Sequence, residues 1–113
     1  MSMIANSLSD ARPADRLSSM WFIYLVRTGC GHLYTGISTD PQRRLEQHQS
    51  GKGARRLRGQ GPLTLVWQQE VGERGEALRL EYRLKRLPKA RKEQLVAEPA
   101  RWDSLRGTLS AAP

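Results

Sequence analysis

Residues 21–38 read WFIYLVRTGCGHLYTGIS, and this stretch predicts a β-hairpin. Its first part, Trp21 to Val26, is a short run of β-branched and aromatic residues. Because the run is almost continuously apolar, it indicates a central strand that is covered on both faces. The sequence Thr-Gly-Cys-Gly at 28–31 supplies a turn, and His32 to Ser38 forms the returning strand.

Two tyrosines of this hairpin are expected to meet. Directly opposed residues of an antiparallel pair project from the same face of the sheet. A short turn near Gly29 therefore places Tyr24 and Tyr34 opposite or nearly opposite each other.

The elements that follow the hairpin alternate between helix and strand. Thr39-Asp40-Pro41 predicts a helix start, because a capping side chain precedes a proline whose missing N–H needs no partner. This helix is expected to run to about Ser50. Further along the chain the pattern predicts a strand and two helices, at Leu63 to Val71, Glu76 to Leu87 and Lys89 to Glu98, with Pro88 ending the first of these helices.

The 113 residues suffice for one core of ordinary size. Residues 1–19 mix small, acidic and basic residues without periodicity and are expected to form a flexible leader. The domain itself is predicted at 20–98. Residues 99–113 are expected to be a tail in which Trp102 and two leucines are the candidates for docking onto the domain.

The charge of the chain is strongly positive and concentrated in its centre. Nineteen Lys and Arg against eleven Asp and Glu give a net charge of +8. The stretch from Asp40 to Lys92 contains 14 of the basic and six of the acidic residues, so the ends of the chain are neutral on balance. A basic centre is typical of a surface that neutralises phosphate, which favours nucleic acid as the partner.

Two other features limit the location of the protein. Cys30 is the sole cysteine, which excludes an intramolecular disulfide and a cysteine-based zinc cluster and fits a reducing compartment. The longest apolar run, Trp21 to Val26, is too short for a membrane span or a signal-peptide core. We therefore expect a cytoplasmic protein. No long basic amphipathic helix with bulky aromatics on its opposite side is visible, so we do not expect membrane binding.

A glycine-rich basic segment, GKGARRLRGQGP at 51–62, follows the first helix. Its composition predicts a mobile loop that can follow a bent strand. We expect the loop to bind phosphates without reading sequence, through Lys52, Arg55, Arg56 and Arg58.

The long helix carries an acidic residue on its apolar side. At the helical period its apolar residues cover one broad arc, and Glu81 lies within it between Ala77 and Leu78. Since burying an isolated charge is costly, Glu81 should have a cation or a metal as its partner. An ion pair with Lys85, four residues on, is the plainer alternative. The arc comprises Ala77, Leu78, Leu80, Tyr82, Leu84 and Leu87.

Arg44 and His48 are four residues apart and share one face of the first helix, with Leu45 beside them. Arg43 points away from that face, so Arg44 is the inward-directed arginine. It could clamp a phosphate through two parallel hydrogen bonds, although most helical arginines lie in solvent. A partly buried His48 more often satisfies a backbone group than takes part in catalysis.

The order of these motifs resembles the GIY-YIG nuclease superfamily. The motifs are Phe22-Ile23-Tyr24, Tyr34-Thr35-Gly36, DPQRRLEQH at 40–48 and LEYRLKRL at 80–87. The resemblance extends roughly from Met20 to Leu95, and among the branches of the superfamily it is strongest to the small stand-alone bacterial YhbQ-like group. Phe22 stands where the family name has glycine, and Thr35 where it has isoleucine.

The resemblance implies an α/β fold of the α+β type, with a small three-stranded antiparallel sheet flanked by helices. This agrees with the order of elements predicted above. It also implies metal-dependent hydrolysis of the phosphodiester backbone of nucleic acid, with DNA as the expected substrate in a structure- or damage-directed reaction. The divalent cation would be Mg²⁺ or Mn²⁺.

The family's functional positions correspond to Tyr24, Tyr34, Arg44, His48 and Glu81. Under the resemblance Glu81 would hold the metal, and Arg44 would neutralise charge on the transition state. A phenol near an arginine and a metal can have a lowered pKa, so either tyrosine is a candidate general base. His48 would orient or deprotonate groups within the cluster, and Gly36 would let the backbone pack closely.

Two other functions remain open on the sequence alone. One is a noncatalytic nucleic-acid-binding module on the same scaffold, and the other is a basic RNA-associated or interaction protein. A module that only binds needs the basic loop, but it has no use for a carboxylate directed at phosphate. The joint presence of the five residues therefore favours the nuclease.

Overall fold

The computed structural model describes residues 20–51 and 59–111. The predicted fold class is confirmed: three antiparallel strands form one sheet, flanked by helices. The elements are β1 (Trp21–Arg27), β2 (Leu33–Ser38), α1 (Pro41–Gln49), β3 (Thr64–Gly72), α2 (Arg74–Lys85), α3 (Lys89–Ala97), a short 3-10 turn (Pro99–Arg101) and α4 (Trp102–Ala111).

Strand β1 lies in the centre of the sheet, with the order β2-β1-β3. Its side chains alternate between two apolar clusters. Ile23 and Leu25 belong to the larger cluster, which α2, α3 and α4 cover, whereas Tyr24 and Val26 pack with Leu45 of α1 on the other face. Burial on both faces explains why this strand is apolar almost throughout.

Helix α1 begins where the sequence predicts. The side chain of Asp40 accepts a hydrogen bond of 3.2 Å from the backbone N–H of Arg43, and Pro41 occupies the first helical position. The helix therefore starts at a fixed point just after β2, and this sets the position of Arg44 and His48 along the sheet.

The turn of the hairpin packs against the segment that enters β3. The N–H of Gly29 donates a hydrogen bond of 2.7 Å to the carbonyl of Gln60. A Cβ at position 29 would lie 2.6 Å from the carbonyl oxygen of Gly61, which is too close for any side chain. Only glycine permits this contact between two backbone segments.

The predicted apolar arc of α2 is buried except at one edge, where the prediction is wrong. Ala77, Leu80 and Leu84 are buried against the sheet, but Tyr82 is 62% exposed and Leu78 is 39% exposed. Tyr82 contacts Arg86, with the guanidinium 5.4 Å from the ring centroid. The arc was broader than the sheet can cover, so its far edge remains in solvent.

Residues after Pro99 join the core. The predicted tail includes α4, whose Trp102, Leu105 and Leu109 are buried in the larger cluster. The ring of Trp102 meets that of Trp67 edge to face, with centroids 5.1 Å apart. The docking candidates of the sequence analysis therefore form one side of a packed helix.

An ion pair joins the end of β1 to α3. Arg27 donates two hydrogen bonds, of 2.8 and 2.7 Å, to the two carboxylate oxygens of Glu93. These bonds hold the pKa of Glu93 at about 2, below its usual value of 4.5. Both side chains are about one third exposed, so solvent screening limits what the pair contributes.

This pair predicts a loss of stability in acid. Because the folded-state pKa of Glu93 is depressed, its contribution is present above pH 4.5 and disappears as the pH falls toward 2. We expect Glu93→Gln to lower the free energy of unfolding by about 0.2–1 kcal/mol near neutral pH. Urea unfolding of both proteins at several pH values measures the gap. A gap that stays constant down to pH 2 would contradict the assignment.

In the part of the chain that the structure describes, no helix has the length and apolarity needed to cross a membrane.

Candidate active site

Tyr24 and His48 form the buried centre of the site. Tyr24 lies on β1 and is 1% exposed, and His48 lies on α1 and is 3% exposed. The hydroxyl of Tyr24 and Nε2 of His48 share a hydrogen bond of 3.2 Å. The capped start of α1 and the central strand therefore fix the two side chains relative to each other.

Gly36 gives the ring of Tyr24 its space. The two residues are directly paired between β1 and β2. A Cβ at position 36 would lie 2.5 Å from both Cζ and the hydroxyl oxygen of Tyr24. Gly36 was expected to let backbone pack closely, and the group that approaches it is the phenol ring of Tyr24. The ring thus lies across the edge strand.

Tyr34 lies on the same face as Tyr24 but is not directly opposite to it. Its partner in the register is Val26, two residues along β1 from Tyr24. The two tyrosines are therefore diagonal neighbours. The ring of Tyr34 meets that of His48 edge to face, with centroids 5.7 Å apart and an angle of 72° between the ring planes. His48 thus contacts both tyrosines.

Arg44 is the inward-directed arginine of α1, as its position predicts. It is partly buried, whereas Arg43 is exposed. Its guanidinium donates a hydrogen bond of 2.9 Å to the side-chain oxygen of Gln47 and also interacts with the hydroxyl of Tyr24. The positive charge of Arg44 therefore lies within the tyrosine cluster.

Glu81 approaches the cluster from the opposite face of the sheet. Helix α2 packs on the face that carries Leu25, yet the negative charge of Glu81 still acts on the hydroxyl of Tyr24. Its side chain is 18% exposed and forms an ion pair of 3.5 Å with Lys85. The plainer of the two predicted partners is therefore present.

Arg44 and Glu81 border one surface depression of about 380 Å³, which we call the reaction depression. It lies beside the end of β2, where helices from both faces of the sheet meet. The combination of a cation and a carboxylate at one concave surface suits a phosphate with a hydrated metal. The other bordering residues are Trp21, Ile37, Ser38, Thr39, Arg74 and Leu78.

The sequence analysis did not identify the wall formed by Trp21 and Arg74. The guanidinium of Arg74 lies 5.8 Å from the ring centroid of Trp21. Trp21 pairs with Gly72 at the end of β3, so the register of the sheet brings the first residue of β1 close to the start of α2. Without the register, nothing in the sequence connects residues 53 positions apart.

Burial sets the protonation of the two central groups. Burial, followed by the nearby Tyr34 phenol, raises the pKa of Tyr24 from 10.0 to about 12, and the positive charge of Arg44 offsets this only in part. In the protein without a metal, the pKa of Tyr24 is thus raised. The lowering of a phenol pKa beside an arginine and a metal stays a prediction. Burial, with the charge of Arg44 added, lowers the pKa of His48 and favours its neutral form.

The raised pKa predicts that Tyr24 ionises late in an alkaline titration. Because the folded state favours the neutral phenol, the stabilising contribution of Tyr24 is complete below pH 10 and disappears as the pH approaches 12. We expect Tyr24→Phe to remove the step at the highest pH from the ultraviolet absorbance titration of the three tyrosines. Removal of a step near pH 10 instead would show that Tyr24 is not buried in this way.

The four residues expected to bind phosphate lie outside the described residues. Lys52, Arg55, Arg56 and Arg58 belong to the segment between Gly51 and Gly59. Their predicted role therefore stays a prediction. Both ends of the segment are described, and they place it after α1 and before β3.

A divalent metal fits the reaction depression only in a partly hydrated form. Among residues 20–51 and 59–111, no group of three His, Cys, Asp or Glu side chains could hold a metal ion. Glu81 is the carboxylate at the depression, and the hydroxyls of Ser38 and Thr39 border it too. Mg²⁺ commonly binds through one or two carboxylates together with water and substrate phosphate, and this donor set suits that arrangement.

The chain is similar to a recognised catalytic domain and to several bacterial proteins. Residues 20–94 match the sequence model of the GIY-YIG catalytic domain. A UPF0213 protein of Aeromonas hydrophila is 73% identical over 85 residues, which are 75% of this chain. That stretch spans 62% of the relative, less than two thirds of its length.

Two further relatives were found. The UPF0213 protein YhbQ of Escherichia coli strain K12 is 58% identical over 89 residues, which cover 79% of this chain and 89% of YhbQ. The UPF0213 protein BH0048 from Bacillus halodurans, which has a solution NMR structure, is 42% identical in sequence to this chain, and the two structures match with a TM-score of 0.45. That match covers 69% of this chain and 83% of the solved one.

Proposed function

Because the chain belongs to the GIY-YIG family, we propose that it hydrolyses the phosphodiester backbone of nucleic acid, with DNA of altered structure or damaged DNA as its substrate. Its positive charge supports a polyanionic substrate. In line with its single cysteine, we propose that it acts in the cytoplasm.

One observation carries this proposal: a cation and a carboxylate, from helices on opposite faces of the sheet, border the same surface depression. Arg44 and Glu81 both influence Tyr24, and both border the reaction depression. A structural ion pair would bring the two charges into contact with each other. Here Glu81 pairs with Lys85, while Arg44 remains directed at the tyrosines.

Arg44 is proposed to neutralise the scissile phosphate. Charge accumulates on the phosphate oxygens as water attacks, and a preorganised guanidinium stabilises that charge more than it stabilises the ground state. The hydrogen bond to Gln47 restrains the guanidinium before substrate binds. Such restraint reduces the reorganisation needed in the transition state.

Glu81 is proposed to hold Mg²⁺ or Mn²⁺ at the depression. When bound, the metal would polarise a phosphate oxygen and stabilise the leaving oxygen. In the protein without a metal, Nζ of Lys85 lies 3.5 Å from a carboxylate oxygen of Glu81.

Proton transfer is proposed to involve Tyr34 and His48. Tyr34 is less buried than Tyr24, and its ring contacts the neutral imidazole of His48. The phenol of Tyr34 would accept the proton of the attacking water as its own hydroxyl proton passes to the neutral imidazole of His48, which leaves a hydroxide nucleophile, a neutral phenol and an imidazolium. Tyr24, with its raised pKa, would position His48 through their hydrogen bond.

The basic loop is proposed to bind the substrate on either side of the cleaved bond. Lys52, Arg55, Arg56 and Arg58 give four cations in seven residues. Contacts of this kind contribute affinity that is independent of sequence and decreases steeply with salt. Gly36 is proposed to serve the site indirectly, by leaving room for Tyr24.

The experiment that tests the proposal is a cleavage assay. Branched, nicked and single-stranded DNA, and RNA, are incubated with the protein and Mg²⁺ or Mn²⁺, and the products are separated on denaturing gels. We expect the wild type to cut at least one substrate and Glu81→Ala to bind it without cutting. Glu70→Ala, which removes an exposed carboxylate from β3, is the matched control and should cut normally.

A noncatalytic nucleic-acid-binding module is the second candidate. It is favoured by the ion pair between Glu81 and Lys85, since a carboxylate satisfied in this way needs no metal. If the wild type cuts none of the substrates with either metal, but binds them with strong salt dependence, this second function replaces the first.

A further inference from the structure

A second concave surface has Tyr34 on its border. It has a volume of about 460 Å³, within the range of sites that hold a nucleotide-sized ligand. We call it the basic groove. Its bordering residues are Thr28, His32, Leu33, Tyr34, Thr35, Gln60, Lys85 and Lys92.

One wall of the basic groove is held in place by backbone contacts. The hydroxyl of Thr28 accepts a hydrogen bond of 3.2 Å from the N–H of His32 across the hairpin turn. The same turn is attached to Gln60 through the N–H of Gly29. These contacts keep His32 and Gln60 on one side of the groove.

The other wall carries two lysines. Lys85 ends α2, and Lys92 lies on α3 after the turn at Pro88. The ammonium of Lys92 donates a weak hydrogen bond of 3.4 Å to the carbonyl of Lys85. The two side chains therefore belong to one surface, although they come from different helices.

The charge of the basic groove is positive. Among the described residues, its titratable bordering groups are Lys85, Lys92, His32 and Tyr34, and no aspartate or glutamate borders it. Lys85 also pairs with Glu81, which borders the reaction depression. Two ammonium groups with hydroxyl and amide groups opposite are suited to a phosphate and its sugar.

A buried hydroxyl adds to the polar character of the groove. Thr35 is 3% exposed and borders the groove, and its hydroxyl has no hydrogen-bond partner among the described residues. Buried polar groups without a partner are uncommon in folded proteins. A polar ligand or a water that it carries would supply one.

We propose that the basic groove binds a nucleotide next to the scissile phosphate, with Lys85 and Lys92 contacting its phosphate. This inference rests on the proposed function, because it takes the reaction depression as the point of cleavage. The substrate strand would then run along the edge strand β2, from the groove past Tyr34 to Arg44. Tyr34 would separate the bound phosphate from the one that is cut.

The test measures binding without turnover. A short fluorescein-labelled single-stranded oligonucleotide is titrated with wild type, Lys92→Ala and Lys89→Ala. A chelator is present to prevent cleavage, and the fluorescence anisotropy is followed at several salt concentrations. Lys89 is the matched control, because it lies on the same helix, is exposed and pairs with Glu93 outside the groove. Both substitutions remove one positive charge.

We expect Lys92→Ala to weaken binding several-fold and to reduce the slope of log affinity against log salt by about 0.7, the value for one contact to a single strand. Lys89→Ala should leave the slope unchanged. If the salt slopes of Lys92→Ala and Lys89→Ala are equal, the assignment of the basic groove as a nucleotide site is overturned, whether or not the protein is a nuclease. A selective effect of Lys92→Ala without any cleavage by the wild type would support the groove and reject the proposed reaction.

A second arm separates a nucleotide from free phosphate. Inorganic phosphate is titrated into wild type and Lys92→Ala, and binding is followed by calorimetry. Weak or undetectable binding is expected, since a single phosphate lacks the sugar and base contacts of a nucleotide. Tight phosphate binding that depends on Lys92, with oligonucleotide binding unchanged in Lys92→Ala, would overturn the assignment to a nucleic-acid strand.

Discussion

Arg44→Ala should reduce the rate of phosphodiester cleavage by about 100- to 1000-fold, the usual cost of removing one donor that stabilises transition-state charge. The guanidinium is held by Gln47 at 2.9 Å and acts on Tyr24 and His48. Its loss removes a cation from the centre of the site and leaves the scissile phosphate without a partner there. Single-turnover rates at saturating protein isolate this effect from binding.

Arg43→Ala is the matched control for this prediction. Arg43 is the neighbouring residue on α1 and is exposed, so its substitution removes the same charge from the same helix. It should lower affinity slightly and leave the saturated rate unchanged. Arg44→Lys should give an intermediate rate, because a lysine keeps the charge without the paired donors. Equal rate losses for Arg43→Ala and Arg44→Ala would show that only overall charge matters.

Trp102→Ala should destabilise the protein by about 3–5 kcal/mol, the range for large aromatic side chains removed from a core. Trp102 is 3% exposed and packs edge to face on Trp67 of β3. Its removal would leave a cavity between α4 and the sheet, and Leu105 and Leu109 would lose part of their packing. Urea unfolding followed by fluorescence or circular dichroism measures the change.

Ser104→Ala serves as the comparison for this substitution. Ser104 is exposed on the same helix, so alanine there should change the free energy of unfolding by no more than about 0.5 kcal/mol. If Trp102→Ala were as mild, residues 99–111 would be a dispensable tail. A large effect would place them within the cooperative unit.

The sheet and the start of α1 could be predicted because local chemistry determines them. The apolar run at 21–26 is short and rich in β-branched and aromatic residues, which favours a strand covered on both faces, and Asp40-Pro41 leaves little choice for the first turn of the helix. The exact pairing could not be predicted. It depends on how many residues the turn uses, and this places Tyr24 opposite Gly36 instead of Tyr34.

The features that the sequence analysis missed depend on tertiary packing. The helical spacing of Trp102, Leu105 and Leu109 becomes informative only when a sheet face is available to cover. Tyr82 fits an apolar arc in sequence, but the buried residues of α2 are Ala77, Leu80 and Leu84. The pKa of Tyr24 likewise follows from burial, which no local pattern reveals.

The candidate site was predicted as five residues, and four of them are linked by contacts. Tyr24, Tyr34, Arg44 and His48 interact directly or through His48. Glu81 acts on Tyr24 through its charge and shares the reaction depression with Arg44. Its ion pair with Lys85 was the alternative that spacing suggested, and the structure contains it together with the shared depression.

The central claim is that Arg44 and Glu81 serve one reaction at one site, and a double-mutant cycle tests it most directly. Single-turnover cleavage is measured for wild type, Arg44→Ala, Glu81→Gln and the double variant on the same substrate. Residues that act as a unit are strongly non-additive, so the double variant should be about as slow as the slower single variant. A double variant whose loss equals the product of the two single losses would contradict the claim.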